Sequence, residues 1–190
     1  MNLGWTHRLA VFAFVTMPTL LGAQGVPDAS TVHGTLAFDA HATLGAFTGV
    51  TKTITGALTG ASSIGGVHGW VEAPSKSLST NNGHRDSDMA GSLESEKFPV
   101  IRFDLDSVTP GETQGDSIAV TLQGRFTLHG KTRAASVPGF VWLTPTESRF
   151  RGSLPVNVKD FGVGGLSKML GLLKMNEMIV VRMDVVFTKL

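Results

Sequence analysis

The sequence predicts an all-β protein, an antiparallel barrel or sandwich of about eight strands with two short helical inserts. From Ile118 to His129, apolar residues and one glycine occupy one parity and mostly polar residues the other, as in a strand with one buried face. The same alternation returns between Ile179 and Thr188. At about 3.3 Å per residue, the stretch Ser117–His129 would run about 40 Å, which exceeds an ordinary strand and suits the wall of a barrel.

The composition fits one domain and excludes several functional classes. The chain has 190 residues, 42% of them hydrophobic and 16% charged, which is enough for one sizeable core. Its net charge is +1 with no basic cluster, so nothing marks a nucleic-acid partner. Because there is no cysteine, disulfides and thiolate nucleophiles are excluded.

Residues 1–23 have the layout of a cleavable signal peptide. Arg8 precedes an apolar run from Leu9 to Leu21, and small residues follow at Gly22 and Ala23. The run is short for a membrane span, and cleavage after Ala23 is preferred to cleavage after Gly25. The alternative is an uncleaved anchor. The expected mature domain, 24–190, would be formally neutral and periplasmic or secreted.

The first strands are short and separated by glycines. Thr31–His41 alternates cleanly and predicts the first strand. The glycine-punctuated stretch Leu44–Gly60 follows, with Ile54 and Leu58 on its inward parity and threonines outward. Val67–Val71 predicts a third strand, but both of its parities carry apolar residues, so its inner face stays open.

The alternation stops from Ser77 to Glu96. Arg85, Met89 and Leu93 recur at a spacing of four, which predicts one face of a short helix and makes the segment a candidate lid or plug. The strand pattern resumes at Phe98, and Pro110-Gly111 predicts a turn into the strand that begins at Ser117.

A strand pair and a second helix are expected before the final strand. Arg133–Leu143 and Arg149–Val158 form the pair. In Asp160–Asn176, helical spacing predicts a short amphipathic helix with an apolar face made of Leu166, Met169, Leu170 and Leu173.

Five stretches, in order, resemble motifs of the YceI-like family, whose members are exported lipocalin-like β-barrels. They are His41–Gly49, Ser77–Met89, Phe98–Phe103, Gly124–Thr132 and Asp160–Val163. The resemblance extends over about residues 31–188. One departure is Ser92–Glu96, where the family usually carries an aromatic pair.

The resemblance implies a lipocalin-like antiparallel barrel that binds a polyisoprenoid or similar amphiphilic lipid, such as a polyprenyl phosphate or a quinone, outside the cytoplasm. It implies no catalytic residues and no cofactor. The expected partners are that lipid and, transiently, a membrane, for a monomer or a homodimer. The alternative is a filled barrel that acts as a stress-response or protein-interaction module.

Two features favour a cavity. Inward glycines, among them Gly124 and Gly152, leave room, and the two helical inserts could close a mouth. A hypothesis assigns ten apolar residues to the lining, each with ordinary core packing as the alternative: Phe38, Phe103, Leu122, Phe126, Leu128, Phe150, Phe161, Leu170, Val181 and Met183.

Polar groups in the lid segment are candidates for the head group. Arg85 could bind a phosphate, or the Arg85-Asp86 pair could only tie the loop down. Asn82 is a neutral donor suited to a quinone. His84 with nearby aspartates matches no known metal spacing, so no metal ligands are assigned. No Gly-x-Ser-x-Gly motif is present, and we expect no enzyme.

Overall fold

The computed structural model describes residues 25–165, 167–168 and 173–189. Within them, nine strands form one antiparallel sheet that curls into a half-barrel, in the order β2-β1-β11-β8-β7-β6-β5-β4-β3, and β9 pairs with β10 separately. The predicted β-barrel class is therefore confirmed. The predicted signal peptide, residues 1–23, and Leu170 lie outside the described residues.

The elements follow the chain with short connections. The strands are β1 Thr31–Ala42, β2 Gly45–Thr51, β3 Thr55–Thr59, β4 His68–Pro74, β5 Val100–Gln114, β6 Ser117–Leu128, β7 Lys131–Leu143, β8 Glu147–Asn157, β9 Ser167–Lys168, β10 Leu173–Lys174 and β11 Met178–Thr188. The α-helix α1 spans Gly83–Ser92, and 3-10 helices span Ile64–Gly66, Ser75–Ser77 and Val158–Phe161.

The two ends of the sheet are covered by irregular segments. At β3, the Val26 and Ala29 backbones exchange hydrogen bonds with Ala61 and Leu58. At β2, the Val50 N–H donates to the Ser79 carbonyl at 2.9 Å, and the Ser79 N–H donates back at 3.0 Å. These pairings occupy backbone groups that an exposed edge strand would offer to other chains.

The alternation predicted the inner faces of the long strands. In β6, Val120, Phe126 and Leu128 are buried, as their shared parity predicts. The face that the sequence left open in β4 is decided by packing. Val71 points into the core, whereas Trp70 lies under the guanidinium of Arg102, with its ring centroid 4.4 Å from Cζ.

The predicted turn at Pro110-Gly111 is wrong. Both residues lie inside β5, whose pairing with β6 shifts register between Pro110 and Thr113. A proline is accommodated at such an irregularity because its missing N–H is not required there. The chain reverses later, at Gly115, which has a φ of +64°.

The second predicted helix is also wrong for the described residues of Asp160–Asn176. A 3-10 helix ends at Phe161, and backbone pairing then joins Ser167–Lys168 to Leu173–Lys174. Gly162 and Gly165, with φ of +77° and +69°, favour turns over helix continuation. The segment is also tied to β1, because the Asn176 N–H donates to the His41 carbonyl at 2.7 Å.

Candidate functional site

The lid predicted between Ser77 and Glu96 contains helix α1. The Asn82 side chain caps the helix by accepting a hydrogen bond from the Arg85 N–H at 3.1 Å. Arg85, Met89 and the C-cap residue Leu93, at the predicted spacing of four, all face one cavity. The periodicity therefore predicted both the helix and its inward face.

The cavity has a volume of about 570 Å³, within the size range of small-molecule sites. Its rim, which we call the mouth, is formed by 42–46 around the turn that joins β1 to β2, by α1, and by Lys174 and Met175. Its walls are mostly apolar and come from five strands: Leu36, Phe38, Val71, Ala73, Ile101, Phe103, Phe126, Leu128, Ile179, Val181 and Met183. Such walls suit an apolar ligand that binds by leaving water.

The structure brings together most of the sequence-predicted residues. Those that line the cavity are Phe38, Phe103, Phe126, Leu128, Val181, Met183, Asn82 and Arg85.

Three of the predicted residues lie elsewhere. Leu122 and Phe150 line a second, smaller cavity of about 70 Å³ deeper in the barrel. Phe161 is buried against Phe126, edge to face, with 5.6 Å between the ring centroids.

The inward glycines explain part of the difference between the predicted lining and the observed one. The Phe150 ring covers Gly139 and Gly152, and its Cε2 lies 2.7 Å from where a Gly139 Cβ would be. The Phe103 ring likewise lies over Gly124. The room that these glycines leave is therefore filled by the protein's own aromatic rings rather than left to a ligand.

Sequence reasoning missed Phe47 on β2, at the mouth. Its ring packs edge to face on Phe38 at 6.1 Å, and the Arg85 guanidinium carbon lies 4.5 Å from its centroid. The signal was weak because two glycines interrupt the alternation of β2. Phe47 holds Arg85 by a cation–π contact at the cavity rim.

The Arg85-Asp86 pair divides into two roles. Asp86 accepts hydrogen bonds from the Thr80 N–H at 2.8 Å, the Thr80 hydroxyl at 2.6 Å and the Ser79 hydroxyl at 2.8 Å. It thus ties α1 to the segment that pairs with β2, while Arg85 faces the cavity. The structure accommodates both interpretations that the sequence left open, one for each residue.

The Asp86 tether should depend on pH. The hydrogen bonds from Thr80, followed by those from Ser79, lower the pKa of Asp86 below its ordinary value of 3.8. A carboxyl group with a lowered folded-state pKa stabilises the fold above its unfolded pKa, and the stabilisation is lost as the pH falls through the folded value. We therefore expect the ionised form to hold the lid at neutral pH.

The measurement is the urea midpoint of wild type and of Asp86→Asn over a pH series. Wild type should be more stable at neutral pH, because an amide offers one acceptor oxygen where the carboxylate offers two. The stability difference between the two proteins should shrink as the pH falls well below 3.8. The other carboxyl groups are the same in both proteins, so their titration does not contribute to this difference. A difference that is independent of pH would contradict the ionised tether.

Two features are absent from the described part of the chain. It contains no group of three or more His, Cys, Asp or Glu side chains placed to hold a metal ion. None of its helices has the length and apolarity needed to span a membrane.

Comparisons with known proteins agree with this architecture. The family model for the YceI-like domain matches residues 27–187. No curated protein sequence matches the chain.

Three solved structures share the fold at low sequence identity. A polyisoprenoid-binding domain from Saccharophagus degradans, implicated in plant cell wall breakdown, is 17% identical with a TM-score of 0.68, covering 87% of this chain and 98% of its own. BcnA of Burkholderia cenocepacia is 14% identical with a TM-score of 0.67, covering 82% and 95%. The YceI protein of Campylobacter jejuni is 11% identical with a TM-score of 0.54, covering 100% and 94%.

Proposed function

Since the chain belongs to the YceI-like domain family, we propose that it binds a polyisoprenoid-type amphiphilic lipid, such as a polyprenyl phosphate or a quinone, and sequesters or transports it. The observation that carries the proposal is the apolar cavity of about 570 Å³ under helix α1. The apolar tail lies in the cavity and the polar head lies at the mouth. The protein acts as a binding protein and not as an enzyme.

The tail supplies most of the affinity. Burial of apolar surface contributes roughly 25 cal/mol per Å², or about 0.8 kcal/mol per CH₂ group. Polyisoprenoid tails are almost entirely hydrocarbon, which matches walls built from Leu, Ile, Val, Phe and Met side chains. Thr51 and Arg102 also line the cavity, but the Thr51 hydroxyl bonds that of Ser77, and the Arg102 guanidinium donates to Glu72 and Asp104.

The head group meets Arg85 and Asn82. The guanidinium of Arg85 rests on the Phe47 ring at the rim of the cavity, where it can pair with a phosphate. Asn82 lines the same rim with an amide that suits a neutral head. The head therefore sets orientation, and its contribution to affinity is smaller than that of the tail.

We place the protein outside the cytoplasm, periplasmic or secreted, because residues 1–23 have the sequence pattern of a signal peptide. Transfer of a lipid requires transient contact with a membrane. At the mouth, Leu44 is 84% exposed and also lines the cavity, which supports an approach of this end to a bilayer. The alternative, a filled barrel that acts only through its surface, is disfavoured by the size of the cavity.

Competition binding tests this division between tail and head. An environment-sensitive apolar fluorophore in the cavity is displaced by geranylgeranyl phosphate, farnesyl phosphate and geranylgeraniol. Losing one isoprene unit, which is five carbons at about 0.8 kcal/mol each when buried, should weaken binding by up to roughly a thousandfold. Replacing the phosphate by a hydroxyl should weaken it less. The opposite order would contradict a site that binds mainly by burying the tail.

A further inference from the structure

Three residues line both the large cavity and the smaller, deeper one. They are Val71 on β4, Phe103 on β5 and Met183 on β11. In the sheet order, β5 and β11 are separated by three strands, so Phe103 and Met183 approach from opposite walls of the barrel. All three are buried, Phe103 at 4% exposure and Met183 at 3%. We call Val71, Phe103 and Met183 together the floor of the large cavity.

Two floor residues differ in the freedom of their side chains: the Phe103 ring is held in place, and Met183 can adapt. The Phe103 ring is seated on Gly124, with its Cζ 2.9 Å from where a Gly124 Cβ would be. Its neighbours in register are Val71 on β4 and Phe126 on β6. Methionine, with three rotatable side-chain bonds, fills irregular gaps, so Met183 can close what the ring leaves open.

The lining of the deeper cavity suits an apolar ligand, as that of the large cavity does. Apart from Ser148 and Arg149, its lining is almost wholly apolar, with Leu58, Leu105, Val120 and Leu122 among the members. Its present volume of about 70 Å³ is small, and the three floor residues line both it and the large cavity. An apolar tail that passed the floor would therefore meet a hydrophobic surface and not solvent.

We propose that the floor limits the length of the apolar tail that this protein accepts, with Phe103 and Met183 as its specificity-determining residues. The inference rests on the proposed function and adds the selection of tail length to it. Affinity should rise with each isoprene unit until the tail reaches the floor and should then stop rising. Replacing Phe103 by alanine removes a six-carbon ring, which is comparable to one five-carbon isoprene unit, and joins the two cavities.

The experiment uses a series of prenyl phosphates from geranyl upward, bound to wild type, Phe103→Ala, Met183→Ala and Phe150→Ala. The Phe150 variant is the matched control, because Phe150 is 7% exposed and lines only the deeper cavity. It removes the same ring without opening the floor. Circular dichroism melts establish that each variant is folded, and Met183→Ala tests the floor from the opposite wall if Phe103→Ala does not fold.

In Phe103→Ala, the plateau, which is the tail length at which affinity stops rising, should shift by at least one isoprene unit. The first tail that is too long for wild type should bind up to roughly a thousandfold more tightly, since five more carbons become buried. Met183→Ala should shift the plateau in the same direction, and Phe150→Ala should keep the wild-type plateau. An unchanged plateau in a folded floor variant would overturn the floor and leave the proposed function standing. If wild type binds no prenyl lipid of any length, both are overturned.

Discussion

Val181→Trp is expected to fold as wild type does and to lose about 100-fold in affinity for geranylgeranyl phosphate. Val181 lies on β11 opposite Phe38 and projects into the large cavity. An indole there would occupy space that the tail needs. Displacing about four carbons of the tail, at about 0.8 kcal/mol each, corresponds to roughly a hundredfold.

The neighbouring residue provides the matched control. Val180 is 40% exposed and is absent from the cavity lining, so Val180→Trp makes the same substitution on the opposite face of the same strand. It should bind the lipid with wild-type affinity. Displacement of the apolar fluorophore measures both proteins, and thermal melts establish that they fold. Equal affinity in the two variants would place the ligand outside this cavity.

Gly34→Ala is expected to lower the free energy of unfolding by about 3 kcal/mol. Gly34 is the fourth residue of β1 and pairs with Val185 of β11. Its φ of +133° is one that residues with a Cβ rarely adopt. A Cβ there would overlap the Asp184 carbonyl oxygen and lie 2.9 Å from the Val185 Cα.

Urea denaturation of Gly34→Ala and Gly83→Ala separates this local constraint from a general effect of alanine. Gly83 begins α1, and a Cβ there meets nothing within 4 Å. Alanine is the better helix former, so Gly83→Ala should match wild type or gain up to about 1 kcal/mol. Wild-type stability in Gly34→Ala would contradict the requirement for glycine in β1.

The strands and the lid could be predicted from the sequence because their signals are local. Alternation in β6 and the spacing of Arg85, Met89 and Leu93 report directly which side chains share a face. The same information placed Phe38 and Val181 on inward parities, and strand register then brought them to one cavity wall.

The depth of the cavity could not be predicted, because it depends on which residues meet across the barrel. Inward glycines looked like free space, yet Phe103 covers Gly124 and Phe150 covers Gly139. Neither contact can be predicted from alternation alone, because each joins residues of two strands and depends on the register between them. For the same reason, the sequence pattern assigns Leu122 and Phe150 to the ligand site, whereas they line the deeper cavity.

The segment Asp160–Asn176 shows a different limit. Its apolar spacing fits a helix, and a local pattern carries no information about a hydrogen-bonding partner elsewhere. The Thr43 N–H, more than a hundred residues away along the chain, donates to the Lys174 carbonyl at 2.9 Å. Pairing with the β1–β2 connection, together with Gly162 and Gly165 in the left-handed region, outweighs the helical propensity.

The central claim is that the large cavity holds a polyisoprenoid-type lipid, and native mass spectrometry of the protein, purified without detergent, tests it most directly. We predict a stoichiometric adduct whose extracted lipids differ in mass by isoprene units, present in Val180→Trp and lost in Val181→Trp. A protein that is isolated without lipid, and stays so when prenyl phosphates, prenols and quinones are offered, would contradict the claim.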